Sequence, residues 1–483
     1  MEPQAAGGTM RVVGAATVLT ALVLAGVGRA QVTASPLKAG DVYSAESTET
    51  LNGKIDFKKP GDEQLKRHEY SGQRRARYVE RVLAAKNSDD GIPERVLRTI
   101  ERLESSRKIA DSPQVGFQLR DEAKHVVLHR GEAYSKPFSL RGPLLQQEIH
   151  ALSHMVFVPA LNGLLPKGAL EVGSRWTANR RAVAQLAGMV PLESGDLTCT
   201  VKDLNFDFKG KKLVQIEFSG VLSGTAEEGK VKDDILGSLY LDRETGKVHS
   251  LTVEGTRTMY DEKKNVVGTL AMTYKLAVRT TPPTEDLSDA IAAEAAKDPT
   301  PEQTAVLYEF PPCAAKLVHP RTWLLERAEG TTLYFSYGRE GYQLTINFHE
   351  DDKTPSAEDY RKEVKENLKR EGFKDVTWTV EPKERVIGAP GAPGFGRAGL
   401  FQARAKKDGD WLMTYFVRQV ERRGATAAVF LHSKAAEEGT LDKDGLNIMK
   451  SVEFTNKVNP FFVKAKAPAG NPNQPANAPA EKK

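Results

Sequence analysis

The sequence predicts an α+β protein of two domains, each an antiparallel β-sheet with helices packed on it, together with a signal peptide and a disordered C-terminal tail. Three observations carry this prediction. Apolar and polar residues alternate over many runs, as where Val214, Ile216 and Phe218 interleave with Gln215, Glu217 and Ser219; a period of two is that of a half-buried strand. A few stretches switch to helical spacing. Between residues 281 and 304 the strand pattern stops, which divides the chain.

Composition sets the bounds. At 483 residues the chain is too long for one ordinary core. Its 40% hydrophobic and 28% charged residues are those of a soluble globular protein. A net charge of +5 steers anions only weakly, and no basic stripe is interleaved with aromatics, so nucleic acid is not the expected partner.

Met10 and Arg11, the apolar run from Val12 to Val27, and the closing Gly28, Arg29, Ala30 predict a signal peptide over 1–30 with cleavage after Ala30. The protein is then exported, to the periplasm or beyond the cell. An uncleaved anchor is the competing reading, against which the run is short and contains glycine. No cysteine sits at the cleavage point, which argues against a lipoprotein. Cys199 and Cys313 fall in different blocks and are expected as two buried thiols.

The first block spans 38–280. Asp41 to Leu51, His68 to Ala85 and Glu94 to Ile109 are extended candidates. The last two hold so many arginines (Arg74, Arg75, Arg77, Arg81, Arg95, Arg98, Arg102) that one face is expected to be wet, and a helix over Pro93 to Lys108 is an alternative. Leu239 and Leu241 run into a turn at Asp242 to Gly246, and Leu251 and Val253 leave it, which makes a hairpin. Leu270, Met272, Tyr274 and Leu276 alternate with polar or small residues in the last strand. A helical interruption begins at Gly142 and Pro143, with Leu145, Ile149, Leu152 and Val156 on one apolar face, and Asn179 to Leu186 forms a second short helix.

An edge with Gly40, Asp41, Val42, Tyr43, the central Leu164 to Trp176, and the meander with Tyr240 to Lys247 resemble the curved-sheet envelope proteins of the LolA and LppX type. That resemblance implies a curved antiparallel sheet and carries over no site residue.

The joint at 281–304 opens with Pro282 and Pro283 and ends in Asp298, Pro299, Thr300, Pro301, residues that favour extended backbone. It reads as an exposed linker, with the alternative that its Ala-rich middle docks on one domain as a surface helix.

The second block, 305–456, has Leu333 and Phe335, then Leu344, Ile346 and Phe348, as inward faces of consecutive strands. Ser356 and Asp359 start a helix carrying Tyr360, Val364 and Leu368 on one face, and Gly372 ends it. Trp378, Leu400, Trp411, Met413, Tyr415, Val429 and Leu431 belong to later strands, and Leu441, Ile448, Met449 and Val452 to a closing helix. With His319, Pro320, Arg321, Thr322, Trp323 leading into the first strands, this order is similar to the α/β/α sandwich of PsbP-like domains. The resemblance places the tryptophan at a strand start and implies an interaction role. Residues 465–483, rich in Ala, Pro and Asn, cannot bury enough surface to fold and are expected to be disordered.

Candidate chemistry is sparse. Gly394, Gly396 and Gly399 spell G-x-G-x-x-G, but a strand rather than a helix follows, so a hairpin loop is expected and no nucleotide. His150 and His154 have metal-ligand spacing on the predicted helix, yet Glu148 does not complete H-E-x-x-H, and a solvent-facing pair is the simpler expectation. His125 and His129 share a strand face and carry the same weak suggestion. Ser105 to Lys108 matches S-x-x-K without its companion motifs. In Gly220 to Gly224 the serine sits one place late for a nucleophile elbow, and Asp442 to Gly445 lacks the ligands of a calcium loop. No catalytic, cofactor-binding or metal residue is therefore assigned. The expectation is an exported, non-enzymatic protein that binds an unknown envelope protein, with a carrier of lipid or another apolar ligand as the alternative.

Overall fold

Alternation between two faces governs the first domain. The computed structural model describes residues 32–455 apart from 58–63, 84–88, 339–341, 350–352, 388, 390–394, 422 and 433–437. The predicted signal segment, the predicted tail, Gly394 and the side chain of Leu441 lie outside the described residues. β1 (Val42–Phe57), β2 (Lys66–Val82) and β3 (Arg95–Ile109) form a meander continued by β4 (Val115–Gln118), β5 (His125–His129) and β6 (Lys136–Ser139). After β7 (Leu144–Leu145) come α1 (Gln146–Ser153), β8 (Arg175–Thr177), α2 (Arg180–Ala187) and β9 (Leu192–Ser194). The long strands β10 (Thr198–Phe208), β11 (Lys211–Ala226), β12 (Gly229–Asp242), β13 (Val248–Tyr260) and β14 (Val266–Thr280) complete a 13-stranded sheet. Its order is β6-β5-β3-β2-β1-β14-β13-β12-β11-β10-β8, with β4 on β3 and β9 on β11, so the first and last long strands lie side by side.

Register fixes what each face buries. Tyr43 and Ala45 of β1, Ala76, Tyr78 and Val82 of β2, and Val96 and Ile100 of β3 face inward with Ile216, Leu239, Leu251 and Leu276 from the other half. Leu152 of α1, Val158, Leu161 and Leu164 of the short 3-10 turns that follow, and Val183 of α2 cover that face. Between these positions Val42, Val79, Leu83, Leu97 and Val127 point to the outer face. That face is covered by Leu287, Ala292 and Ala295, from the segment 281–304 that contains α3 (Asp289–Ala295) and α4 (Pro301–Thr304). Arg81 ties the segment down through the Leu287 carbonyl at 2.7 Å, and Arg95 through those of Ala296 and Lys297 at 2.6 and 2.7 Å.

The extended reading of Glu94 to Ile109 holds and its helical alternative does not: Val96 to Ile109 pair with β2, with one register shift at Arg77 and Tyr78. One expectation needs correction. The helix expected from Pro143 begins only at Gln146, because Leu144 and Leu145 pair in parallel with Val306 and Leu307. Tertiary pairing takes these residues from the helix, and the buried Glu148 carboxylate accepts from the Leu145 amide at 2.8 Å to cap the new start. At α2 the expectation holds: Asn179 caps the Arg181 and Ala182 amides, and Gly188, at φ +64°, closes the helix in the left-handed region.

The second domain is a 7-stranded antiparallel sheet with a layer on each face. β15 (Val306–Phe310) and β16 (Ala315–His319) precede β17 (Trp323–Glu329), β18 (Thr332–Tyr337), β19 (Tyr342–His349), α5 (Ala357–Arg370), β20 (Lys374–Ile387), β21 (Gly396–Lys406), β22 (Asp410–Val420), β23 (Arg423–His432), α6 (Glu438–Ser451) and β24 (Glu453–Phe454). The sheet order is β17-β18-β19-β23-β22-β21-β20. Tyr360, Val364 and Leu368 of α5 pack on Phe401, Met413 and Tyr415. On the opposite face Ile448, Met449 and Val452 pack with Leu344, Ile346, Phe416 and Val429. Trp323 opens β17 fully buried, its indole N–H donating to Asp444 at 3.2 Å. Ser356 accepts from the Asp359 amide at 3.0 Å, as its spacing predicts. Cys199 and Cys313 are both buried as thiols, and burial pushes that of Cys199 up to about 12.

The domains meet through a four-stranded sheet, β24-β16-β15-β7, in which β7 is contributed by the first domain. Arg321 adds a bond to the Pro137 carbonyl of β6.

The β12–β13 turn yields a measurable consequence. Asp242 Oδ1 accepts from the Thr245 amide at 2.9 Å and its hydroxyl at 3.1 Å, and Lys211 lies 2.8 Å from Oδ2. Burial alone would raise its carboxyl, but Lys211 and Thr245 outweigh burial and lower it to about 2. A carboxylate whose pKa is depressed by folding stabilises fully above its unfolded value, about 4, and loses that contribution as pH falls through the folded value. Asp242→Asn should therefore cost about 1 to 2 kcal/mol at neutral pH, discounted for partial solvent access. Urea unfolding should show the gap to the unaltered protein closing between about pH 4 and 2; a gap that stays constant would contradict the assignment.

Candidate functional site

The inner face of the first sheet carries the densest polar chemistry in the described residues. Arg98 of β3 and Glu80 of β2 are both fully buried and joined in an ion pair. Tyr43 of β1 donates to the other Glu80 oxygen, and the Arg98 guanidinium lies 3.8 Å over the Tyr78 ring. Arg98 also donates to the Val156 carbonyl at 3.2 Å and contacts Met155 Sδ at 3.4 Å. Burial pushes the Glu80 carboxyl up, opposed by Arg98, and burial with the Glu80 charge pushes the Tyr43 phenol well up. The expected wet face is present at Arg75, Arg77 and Arg102, which are exposed, but Arg98 departs from it: alternation puts it on the same face as Val96 and Ile100, and Glu80 makes its burial tolerable. Arg257 repeats the arrangement, donating to both oxygens of buried Asp233 at 3.0 and 2.8 Å and to the Ala187 carbonyl at 2.7 Å.

Past α1, the strands run on beyond the core and leave a cavity of about 280 Å³, open on one side. Leu51, Tyr70, Val115 and Phe117 offer apolar surface there, whereas Glu49, Arg74 and Arg107 offer charge. Arg74 is engaged with Glu49 at 3.4 Å and with the His154 carbonyl at 3.1 Å. Such a lining suits a ligand with polar and apolar parts.

At the rim stands the histidine pair. His150 and His154 do not simply face solvent: Glu227, in the β11–β12 turn, lies 3.2 Å from His150 Nδ1 and 2.9 Å from His154 Nε2. Their ring centroids are 4.3 Å apart, and Tyr134 packs on His154 at 4.5 Å. Burial and the neighbouring His154 hold the His150 imidazole below its ordinary pKa. Spacing flagged the histidines; Glu227 is distant in sequence and gave no signal. Glu148 points away, held by Arg120 at 2.7 and 2.6 Å.

The other candidates are not brought together. His125 lies 3.7 Å from Asp286 and His129 3.9 Å from Glu94, each apart from other histidines. Ser105 and Lys108 lie on β3, Gly220 to Gly224 on β11, Gly396 and Gly399 on β21, and Asp442 to Gly445 within α6.

Neither a protein-family model nor a curated protein matches the chain. Among solved structures, 31% of the chain is similar to 94% of the Ran-binding protein Mog1p of Saccharomyces cerevisiae, at 10% identity and a TM-score of 0.23. Also 31% is similar to 92% of PsbP (CyanoP) from Synechocystis sp. PCC 6803, at 14% identity and a TM-score of 0.24. Lipovitellin is similar over 51% of this chain and 26% of its own, at 8% identity and a TM-score of 0.28.

The buried pair makes a sharp prediction. Removing one partner strands the other charge, so Arg98→Met or Glu80→Gln should each cost about 3 to 5 kcal/mol in equilibrium unfolding. The double change Glu80→Gln with Arg98→Met should cost clearly less than the sum of the two single changes. Strict additivity would show that the two side chains do not act as a pair.

Proposed function

We propose that this chain is an exported, non-enzymatic binding and interaction protein of the bacterial cell envelope. The supporting observation is the inner face of the first sheet, which its own side chains fill. Leu152 is fully buried there among Val158, Leu161 and the strand residues, and the polar groups nearby are spent on one another and on helix ends. A surface so occupied leaves recognition to the rim and to the joined domains. The signal-like start Met10 to Ala30 supports export. Among the described residues no helix is long and apolar enough to cross a membrane. The pattern of the second block resembles PsbP-like domains, and that of the first resembles LolA and LppX; both agree with binding rather than turnover.

A carrier of a lipid or other apolar ligand is the second reading. It is favoured by the cavity past α1, where Leu51, Tyr70 and Phe117 would receive an acyl or aromatic group and Arg107 a polar head.

Leu152 separates the two. In a filled core Leu152→Ala leaves a void and should cost about 2 to 5 kcal/mol with a matching fall in melting temperature. Protein purified from its native envelope and extracted with organic solvent should then yield no stoichiometric lipid. An unchanged melting temperature together with one lipid per chain would establish the carrier.

A further inference from the structure

We propose that His150, His154 and Glu227 form a binding site for a divalent transition-metal ion, Zn²⁺ being the best match to two imidazoles and a carboxylate. The candidate ligand atoms converge within 4.8 Å of one another. The Glu227 oxygens stand 3.2 and 2.9 Å from the two ring nitrogens. Ligand atoms around a tetrahedral ion with bonds of about 2.0 to 2.2 Å lie roughly 3.3 to 3.6 Å apart. The two carboxylate–imidazole separations need only a small outward movement to admit the ion.

His154 is already set as a ligand. Its Nδ1 lies 2.7 Å from the His150 carbonyl, which can only accept, so Nδ1 carries the hydrogen. In the neutral ring Nε2 is then the lone-pair nitrogen, and it faces a carboxylate oxygen that also carries lone pairs. Two acceptors at 2.9 Å repel unless something positive lies between them. Outer contacts of this kind, a ring N–H on a backbone carbonyl, orient metal-binding histidines. Tyr134 holds the ring from one side and donates to the Gly188 carbonyl at 2.6 Å, while Arg74 fixes the His154 carbonyl. His150 and Glu227 are about half exposed, at 49% and 51%, and so are free to close on an ion. Of the two arginines whose charge reaches His150, Arg74 and Arg107, the first is paired with Glu49 at 3.4 Å. His150 also lines the cavity past α1, which puts the site at the cavity rim.

The test is calorimetric titration of Zn²⁺ into the metal-stripped, full-length protein, with Co²⁺ absorption as a second readout. One Zn²⁺ per chain is expected, and Co²⁺ should develop the visible bands of a low-coordinate nitrogen and oxygen site. His154→Ala and Glu227→Gln should each weaken binding by at least about 10-fold, and His125→Ala should leave it unchanged. Glu227→Gln changes an exposed turn residue, so an unaltered melting curve separates a lost ligand from a lost fold. Absence of Zn²⁺ binding, or equal binding by the unaltered protein and both ligand variants, would overturn the site and leave the cluster as a protonated histidine–carboxylate pair.

Discussion

The first domain rests its helices on arginines. A short helix leaves its last carbonyls without partners inside the helix, and α1, α2 and α3, of 8, 8 and 7 residues, are too short to stand alone. At or just beyond the end of each, a guanidinium from a strand meets the backbone carbonyls. Arg74 takes the His154 carbonyl and Arg98 that of Val156, just beyond α1. Arg257 takes the Ala187 carbonyl at the end of α2, and Arg95 those of Ala296 and Lys297 at the end of α3. A cation at a helix C-terminus also meets the negative end of the helix dipole, so hydrogen bonding and field act together.

The arrangement explains the carboxylates. A guanidinium brought inside to reach a carbonyl would be ruinously desolvated alone, so Arg98 arrives with Glu80 and Arg257 with Asp233. These pairs are weak evidence for net stability, because apolar residues of equal volume could serve as well. What they add is position: a planar, two-pronged donor between a carboxylate and a carbonyl holds the helix end in one place over the sheet. Arg98 also closes the inner face near α1, since its stem, the Tyr78 ring and Met155 fill space that an apolar ligand would otherwise enter.

Much of the fold was legible because strands announce themselves by a period of two. The β12–β13 hairpin, the Ser356 cap and the Asn179 helix were all local signals, and each appears where residue chemistry puts it; Trp323 opens a strand as the resemblance to PsbP-like domains implied. The failures differ in cause. Leu144 and Leu145 carry helical spacing but are claimed by a strand more than a hundred residues away, which no local window contains. Arg98 looked exposed because arginines usually are, though its parity with Val96 and Ile100 already pointed inward. Of the rim cluster, the histidine spacing was visible and the carboxylate was not, because a β-turn brings Glu227 to α1 through sheet register alone.

That same long-range pairing couples the two domains to the site. β7 ends at Leu145 and α1 begins at Gln146, with no residue between them to absorb a displacement. Leu144 and Leu145 are locked in parallel register to Val306 and Leu307, and β15 is in turn paired along its whole length with β16. Toward its other end α1 carries His150, and His154 follows as its cap residue, whose carbonyl is held by Arg74. The 8 residues of α1 thus run directly from the strand that pairs with the second domain to the histidines at the cavity rim, and among the described residues the ligand set proposed at that rim comes from the first domain alone.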